Sequence, residues 1–142
     1  MNKIISTDIC VIGAGSGGLS VAAGAVQMGA KVVLIEKGKM GGDCLNTGCV
    51  PSKALLAAGH AAENARSASR FGVSTGPVEI DFGRAIDHVH SVISGIAPHD
   101  SVERFEELGC TVIQAEARFT GPAEVVAGET TIKAKRFVIA TG

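Results

Sequence analysis

The stretch Asp8–Glu36, DICVIGAGSGGLSVAAGAVQMGAKVVLIE, decides the fold. Asp8 to Ile12 is a short apolar run that stops at Gly13, and Ser16 to Met28 then carries Leu19, Ala22, Ala23 and Val26 at helical spacing. Gly29 closes that helix. Lys31 to Glu36 follows as a β-branched run without polar alternation, the pattern of a strand covered on both faces. The reading is strand, tight turn, helix, strand: one βαβ unit.

Gly13-Ala14-Gly15-Ser16-Gly17-Gly18 fills the turn as GxGxxG. In that context Gly13 permits the tight turn, Gly15 lets a pyrophosphate approach the backbone, and Gly18 packs the helix on the strand. The helix N-terminus at Ser16 supplies N–H groups and positive dipole to phosphates. Glu36, 18 residues after Gly18, ends the second strand and is placed to accept from an adenosine ribose. A carboxylate there disfavours a 2′-phosphate, so the expected ligand is FAD or NAD rather than NADP. The competing reading is a glycine turn of an unrelated α/β fold with a surface Glu.

Working outward, Gly38 to Gly48 is too glycine-rich to be regular, and Pro51 to about Ser69 reads as an Ala-rich helix with proline in its first turn. Arg70 to Glu79 reads as loop. Asp81 caps a helix running to about Leu108, bent or broken by Pro98 near Ala97 and ended by Gly109. Thr111–Phe119, Ala123–Ala127, Thr130–Ala134 and Lys135–Ala140 read as short strands joined by tight turns. The chain stops just after an apolar strand, as expected of a fragment.

Composition sets the outer limits. With 142 residues, 46% hydrophobic and 19% charged, the chain can build one domain with a core. A net charge of −1 without a basic block, and no Trp or Tyr, argues against nucleic acid and against an anionic membrane surface. No apolar run reaches the roughly 18 residues of a spanning helix, and no signal peptide is legible, so a soluble cytoplasmic chain is expected. Nineteen glycines, ten of them before Val50, are well above the average of about 7% and mark a region that needs bare backbone.

Cys44-Leu45-Asn46-Thr47-Gly48-Cys49 precedes Val50-Pro51-Ser52-Lys53. In a continuous helix, positions five apart lie about 7.5 Å apart along the axis, beyond the roughly 7 Å Cα limit of a disulfide. If these two pair, the backbone leaves the helix between them, and Asn46 and Gly48 suit that departure. Cys49 would then precede the first helical turn, where dipole and free N–H groups favour a thiolate, with Lys53 one turn on adding positive charge. Such a pair in a reducing compartment would be a redox couple. Zinc ligation and two unpaired buried thiols are the alternatives, and no second Cys or His pair has matching spacing. No metal is expected.

With DICVIGAGSGGLSVA, VVLIEKGKMGGDCLNTGCVPSKALL and RFVIATG in view, the chain resembles the class I pyridine nucleotide-disulfide oxidoreductases, the dihydrolipoamide dehydrogenase, mercuric reductase and glutathione reductase group. Pro51-Ser52-Lys53 is similar to the first two subfamilies. The resemblance implies the N-terminal part, residues 1–142, of an FAD-binding domain: α/β, a Rossmann-like βαβ with a small antiparallel β-meander, incomplete because the NAD(P)-binding and dimer-interface domains are not in this segment. It implies one FAD per chain, held at its pyrophosphate by Gly13, Gly15, Ser16 and Gly18, at its ribose by Glu36 with Lys37 beside the adenine, and by Gly42, Asp43, Ala117, Thr141 and Gly142. The resemblance also implies a Cys44–Cys49 redox disulfide, with Cys49 the charge-transfer thiol next to the flavin, Cys44 the interchange thiol, and Lys53 near the flavin N5 region. Asp43 stands where the family often has Thr, which fits a phosphate neighbour only if the carboxylate turns away.

The implied activity is electron transfer from NAD(P)H through FAD and the disulfide to a small-molecule or protein-bound disulfide substrate, in a homodimer. A non-catalytic FAD-binding fragment and an NAD-binding domain with incidental cysteines are the other readings. His60, His88, His90 and His99 are expected to face solvent, Cys10 and Cys110 to be small buried hydrophobes, and Glu103, Arg104, Glu106 and Glu107 to form a solvated helix face.

Overall fold

A computed structural model describes residues 3–142. Strand β1 (Lys3–Ile12), helix α1 (Ser16–Gln27) and strand β2 (Val32–Glu36) form the expected βαβ unit. Gly29, at φ +85°, takes the left-handed conformation that ends α1. A short helix α2 (Gly42–Asn46) and a long one, α3 (Cys49–Ser67), follow. Next come α4 (Phe82–Ile96), α5 (Val102–Glu107), and strands β3 (Thr111–Gln114), β4 (Ala117–Gly121), β5 (Glu124–Ala127) and β6 (Thr130–Ile139).

All six strands form one sheet of order β3-β2-β1-β6-β5-β4. β3, β2, β1 and β6 run parallel, while β5 and β4 are antiparallel to their neighbours. The meander β4-β5-β6 is therefore fused to the nucleotide-type sheet through β6. From β1 the chain adds β2 and β3 on one side and β6 on the other, so a crevice opens at the carboxyl ends of β1 and β6, where α/β sheets bind ligands.

Four local expectations are corrected. β1 starts at Lys3 instead of Asp8, because β6 pairs with it from Lys3↔Thr130 to Ile12↔Ile139. Thr130–Ile139 is one ten-residue strand rather than two, held straight between β1 and β5. Thr111–Phe119 breaks at Ala115-Glu116, since β3 pairs with β2 while β4 pairs with β5. The glycine-rich 38–48 segment contains α2, whose Leu45 is buried. The bend at Pro98 is as expected: α4 stops at Ile96 and a 3₁₀ turn, Ala97–Asp100, leads to α5. Asp81 caps α4, accepting from the Arg84 N–H at 3.1 Å.

The apolar run of β2 serves two cores. Val32 and Leu34 join Val11, Leu19, Ala22, Phe105 and Cys110 on the face covered by α1 and α5. Val33 and Ile35 join Cys10, Val125, Ala127 and Ile132 on the other. Period-two alternation between two buried faces removes polar positions from such a strand. Each fully buried aliphatic side chain contributes about 1.5–3 kcal/mol, so this strand anchors the sheet.

Candidate functional site

A cleft of about 600 Å³ opens where β1, β2 and β6 end. Gly13 takes φ +106°, and a Cβ there would strike the Ala140 carbonyl. Gly13 N–H donates to the Ile35 carbonyl and Ala140 N–H to the Ile12 carbonyl, both at 2.8 Å, so the glycine turn is held from both neighbouring strands. Gly18 lies beneath it, with no room for a Cβ against the Gly13 carbonyl, and thus packs α1 onto the turn.

α1 begins at Ser16 with no side-chain cap and no acidic residue in its first turn. The N–H groups of that turn have no acceptor within the helix, and with the dipole they favour an anion. Gly15, Ser16 and Gly17 line the cleft. Across from them Gly42, at φ +56°, approaches Gly15 so closely that its Cβ would lie 2.7 Å from the Gly15 Cα. No side chain intrudes between the two glycines.

The Glu36 carboxylate accepts from Ala14 N–H and Gly38 N–H, each at 2.7 Å. It clamps the glycine turn to the exit of β2 and keeps lone pairs for a further donor. Glu36→Gln is expected to cost about 1–3 kcal/mol in urea unfolding, because the amide offers one acceptor and sets a donor against the second N–H. An unchanged midpoint would exclude the clamp.

Of the residues expected at the site, Gly13, Gly15, Ser16, Glu36, Lys37, Gly42, Asp43, Cys44, Ala117, Thr141 and Gly142 line the cleft. Gly18, Cys49 and Lys53 are outside its lining. Asp43 is exposed, and its Oδ1 accepts from the Thr47 hydroxyl at 3.5 Å, one turn along α2. Lys39, Asn46 and Glu116 also line the cleft and were not anticipated; only the fold brings residues from after β2, from α2 and from between β3 and β4 together.

Cys44 and Cys49 meet because α2 stops. Thr47 and Gly48 N–H both return to the Asp43 carbonyl, at 2.9 and 2.6 Å, and α3 restarts at Cys49. The backbone departure lies at Thr47 and Gly48, whereas Asn46 is still helical. Cys49 is itself the first residue of α3 instead of preceding it, because the helix begins two residues before Pro51, which has no N–H to lose in a first turn. All four cysteines are thiols. Hydrogen bonding with Cys49 chiefly, with burial and the neighbouring thiol's charge added, raises the Cys44 thiol above its ordinary pKa, while the Lys53 charge lowers it. Replacing Lys53 by Met should therefore slow iodoacetamide alkylation of Cys44 at pH 7.5 by about two- to threefold at low salt and shift its pH midpoint upward. Equal rates in both proteins would show that Lys53 has no hold on the thiol.

Cys10 and Cys110 are buried, and burial pushes the Cys10 thiol up to about 11, which makes it inert near neutrality. Glu103, Arg104, Glu106 and Glu107 are exposed, as are His60, His88, His90 and His99. Among the described residues there is no group of three or more His, Cys, Asp or Glu able to hold a metal, and no helix long and apolar enough to cross a membrane.

The chain is similar to several curated proteins. A mercuric reductase of Lysinibacillus sphaericus is 36% identical over 95% of this chain, which covers 25% of that protein. A dihydrolipoyl dehydrogenase of Geobacillus stearothermophilus is 37% identical over 97% of the chain and 30% of its own length. The mitochondrial dihydrolipoyl dehydrogenase of Dictyostelium discoideum is 40% identical over 95% and 29% respectively. The chain thus spans between a quarter and a third of these curated relatives. Residues 7–142 match the family described as pyridine nucleotide-disulphide oxidoreductase, and with the cleft and the cysteine turn in place the chain belongs to that family.

Proposed function

We propose that this chain is the FAD-binding, dithiol-carrying part of a flavoprotein disulfide oxidoreductase of the dihydrolipoamide dehydrogenase type, with a mercuric reductase-like or glutathione reductase-like acceptor as the second reading. The observation that carries it is the placement of Cys44 in the wall of the same cleft that α1 opens with unsatisfied N–H groups.

The residues present fit FAD. The bare Gly15–Gly42 wall and the uncapped start of α1 suit a pyrophosphate, the free lone pairs of Glu36 suit a ribose, and the Asp43 carboxylate is engaged by Thr47. Lys37, Ala117, Thr141 and Gly142 would flank the nucleotide. FAD, when bound, supplies two-electron exchange between a nicotinamide and a disulfide. Cys49 and Lys53, exposed at the start of α3, would lie on the flavin side of the dithiol.

The chain's own chemistry is thiol–disulfide exchange. Two electrons and two protons convert the Cys44–Cys49 disulfide to a dithiol. The Cys44 thiolate attacks the substrate disulfide, forming a mixed disulfide and releasing one substrate thiol. Cys49 thiolate then attacks the Cys44 sulfur, releasing the second thiol and restoring the disulfide. The electrons originate from NAD(P)H bound by a further domain, in a cytoplasmic homodimer, so these 142 residues by themselves should not turn over.

Thermal unfolding with added FAD tests the binding step. At 100 times the dissociation constant, a ligand specific to the folded state stabilises by about 2.7 kcal/mol, a rise of roughly 8 °C or more in melting temperature. No rise with FAD would sink the assignment.

A further inference from the structure

Asn46, the last residue of α2, lies between the two cysteines, and its side chain folds back onto the segment before it. The Nδ2 group donates both protons, to the Met40 carbonyl at 3.1 Å and to the Gly42 carbonyl at 2.8 Å. Those two carbonyls bracket the segment touching the glycine turn: Gly41 N–H donates to the Ala14 carbonyl at 2.9 Å, and Gly42 abuts Gly15. On its other side, Asn46 is followed directly by the Thr47-Gly48 turn that brings Cys49 back to Cys44. Buried Leu45, against which a Cβ on Gly41 would collide, fixes the same unit from beneath. A continuous set of contacts therefore runs from the anion-binding turn through Met40–Gly42 and the Asn46 amide to the dithiol.

We propose that Asn46 is a positioning residue that couples occupancy of the nucleotide cleft to the redox state of Cys44 and Cys49. The inference rests on the cleft binding the ADP half of FAD. Closing the disulfide draws Cys49 toward Cys44 and displaces the Thr47-Gly48 turn that directly follows Asn46, and that shift reaches Gly42 and Gly15 through the two hydrogen bonds of the Asn46 side chain. Coupling of this kind is reciprocal: a redox change that alters nucleotide affinity implies a nucleotide that alters the redox equilibrium by the same factor. Few residues could substitute. Aspartate presents acceptors to two carbonyls, alanine leaves both without the amide, and glutamine is one methylene too long.

The test uses ADP, which has the pyrophosphate and adenosine but no flavin ring to touch sulfur. ADP dissociation constants are measured calorimetrically for the intact chain in its dithiol form and after diamide has taken two electrons and two protons from Cys44 and Cys49. For the native sequence the two constants should differ at least about threefold, well above calorimetric error. In Asn46→Ala and in the isosteric Asn46→Asp they should coincide, with affinity weakened about tenfold, the equivalent of about 1.4 kcal/mol. Native constants that are equal in the two redox forms, or variants that keep the native ratio, would overturn the coupling while leaving nucleotide binding intact. Loss of cooperative unfolding in both variants would assign Asn46 to the fold and also overturn it. No ADP binding by the native chain in either form would overturn the cleft assignment and the coupling together.

Discussion

If the proposed function holds, Cys49→Ser in the whole protein is expected to lower NAD(P)H-dependent disulfide reduction by on the order of 10⁴-fold or more, with flavin content unchanged. A hydroxyl is of similar size but forms no bond to sulfur, so no Cys44–Cys49 disulfide can form and nothing resolves the mixed disulfide on Cys44. Cys44→Ser and the double variant should lose about as much as Cys49→Ser, because the pair acts as one unit and such losses do not add. The fold should tolerate these changes: Cys49 is exposed, Cys44 is half-buried, and the glycine wall of the cleft involves neither sulfur. Turnover, flavin absorbance and thermal unfolding on the same preparations separate the arms. Retention of more than about 1% of turnover by any of the three would show that electrons bypass the pair.

Gly18→Ala should be severely damaging for a single methyl group. The new Cβ would collide with the Gly13 carbonyl and sit 3.3 Å from the Val11 Cγ1, both belonging to the β1–turn–α1 junction. Backbone cannot yield here as a flexible side chain can, because the turn is tied to β2 and β6. A loss of more than about 4 kcal/mol follows, a large share of the 5–15 kcal/mol that holds a typical domain. Gly24→Ala is the control. Gly24 lies in the same helix with nothing within 4 Å of an added Cβ, so alanine there should stabilise by about 0.5–1 kcal/mol. Urea midpoints for the two variants should move in opposite directions; parallel shifts would show that glycine content, not the contact, sets the cost.

What could be read from the residues alone was whatever is decided within about thirty positions. The βαβ unit, the Gly13-Gly15-Gly18 turn, the Asp81 cap and the break at Pro98 all depend on local spacing, local hydrogen bonds or a missing N–H, and each appears where the sequence places it. The same holds for Cys10, since an apolar strand already implies burial, whereas Cys110 lies just before β3 and is buried by its place in the core under α1 and α5. The longer-range features have partners far along the chain. The first five residues of β1 and the uninterrupted β6 owe their extended form to each other across more than a hundred positions, and nothing in either segment announces the other.

The site divides the same way. Glycine and cysteine spacing marked Gly13, Gly15, Gly42 and Cys44 as candidates, and all four line one cleft. Their arrangement had to come from tertiary structure. Glu36 reaches the Ala14 N–H only because β1 and β2 are paired, Asn46 reaches the Met40 carbonyl only because α2 folds back, and Lys39, Glu116 and Thr141 share one cleft only because parallel strands end in register. The chemistry available to this chain is legible in its residues, since side-chain and backbone types are local properties. Which groups meet was decided by the sheet, because strand pairing converts separations of tens of residues into contacts of a few ångströms.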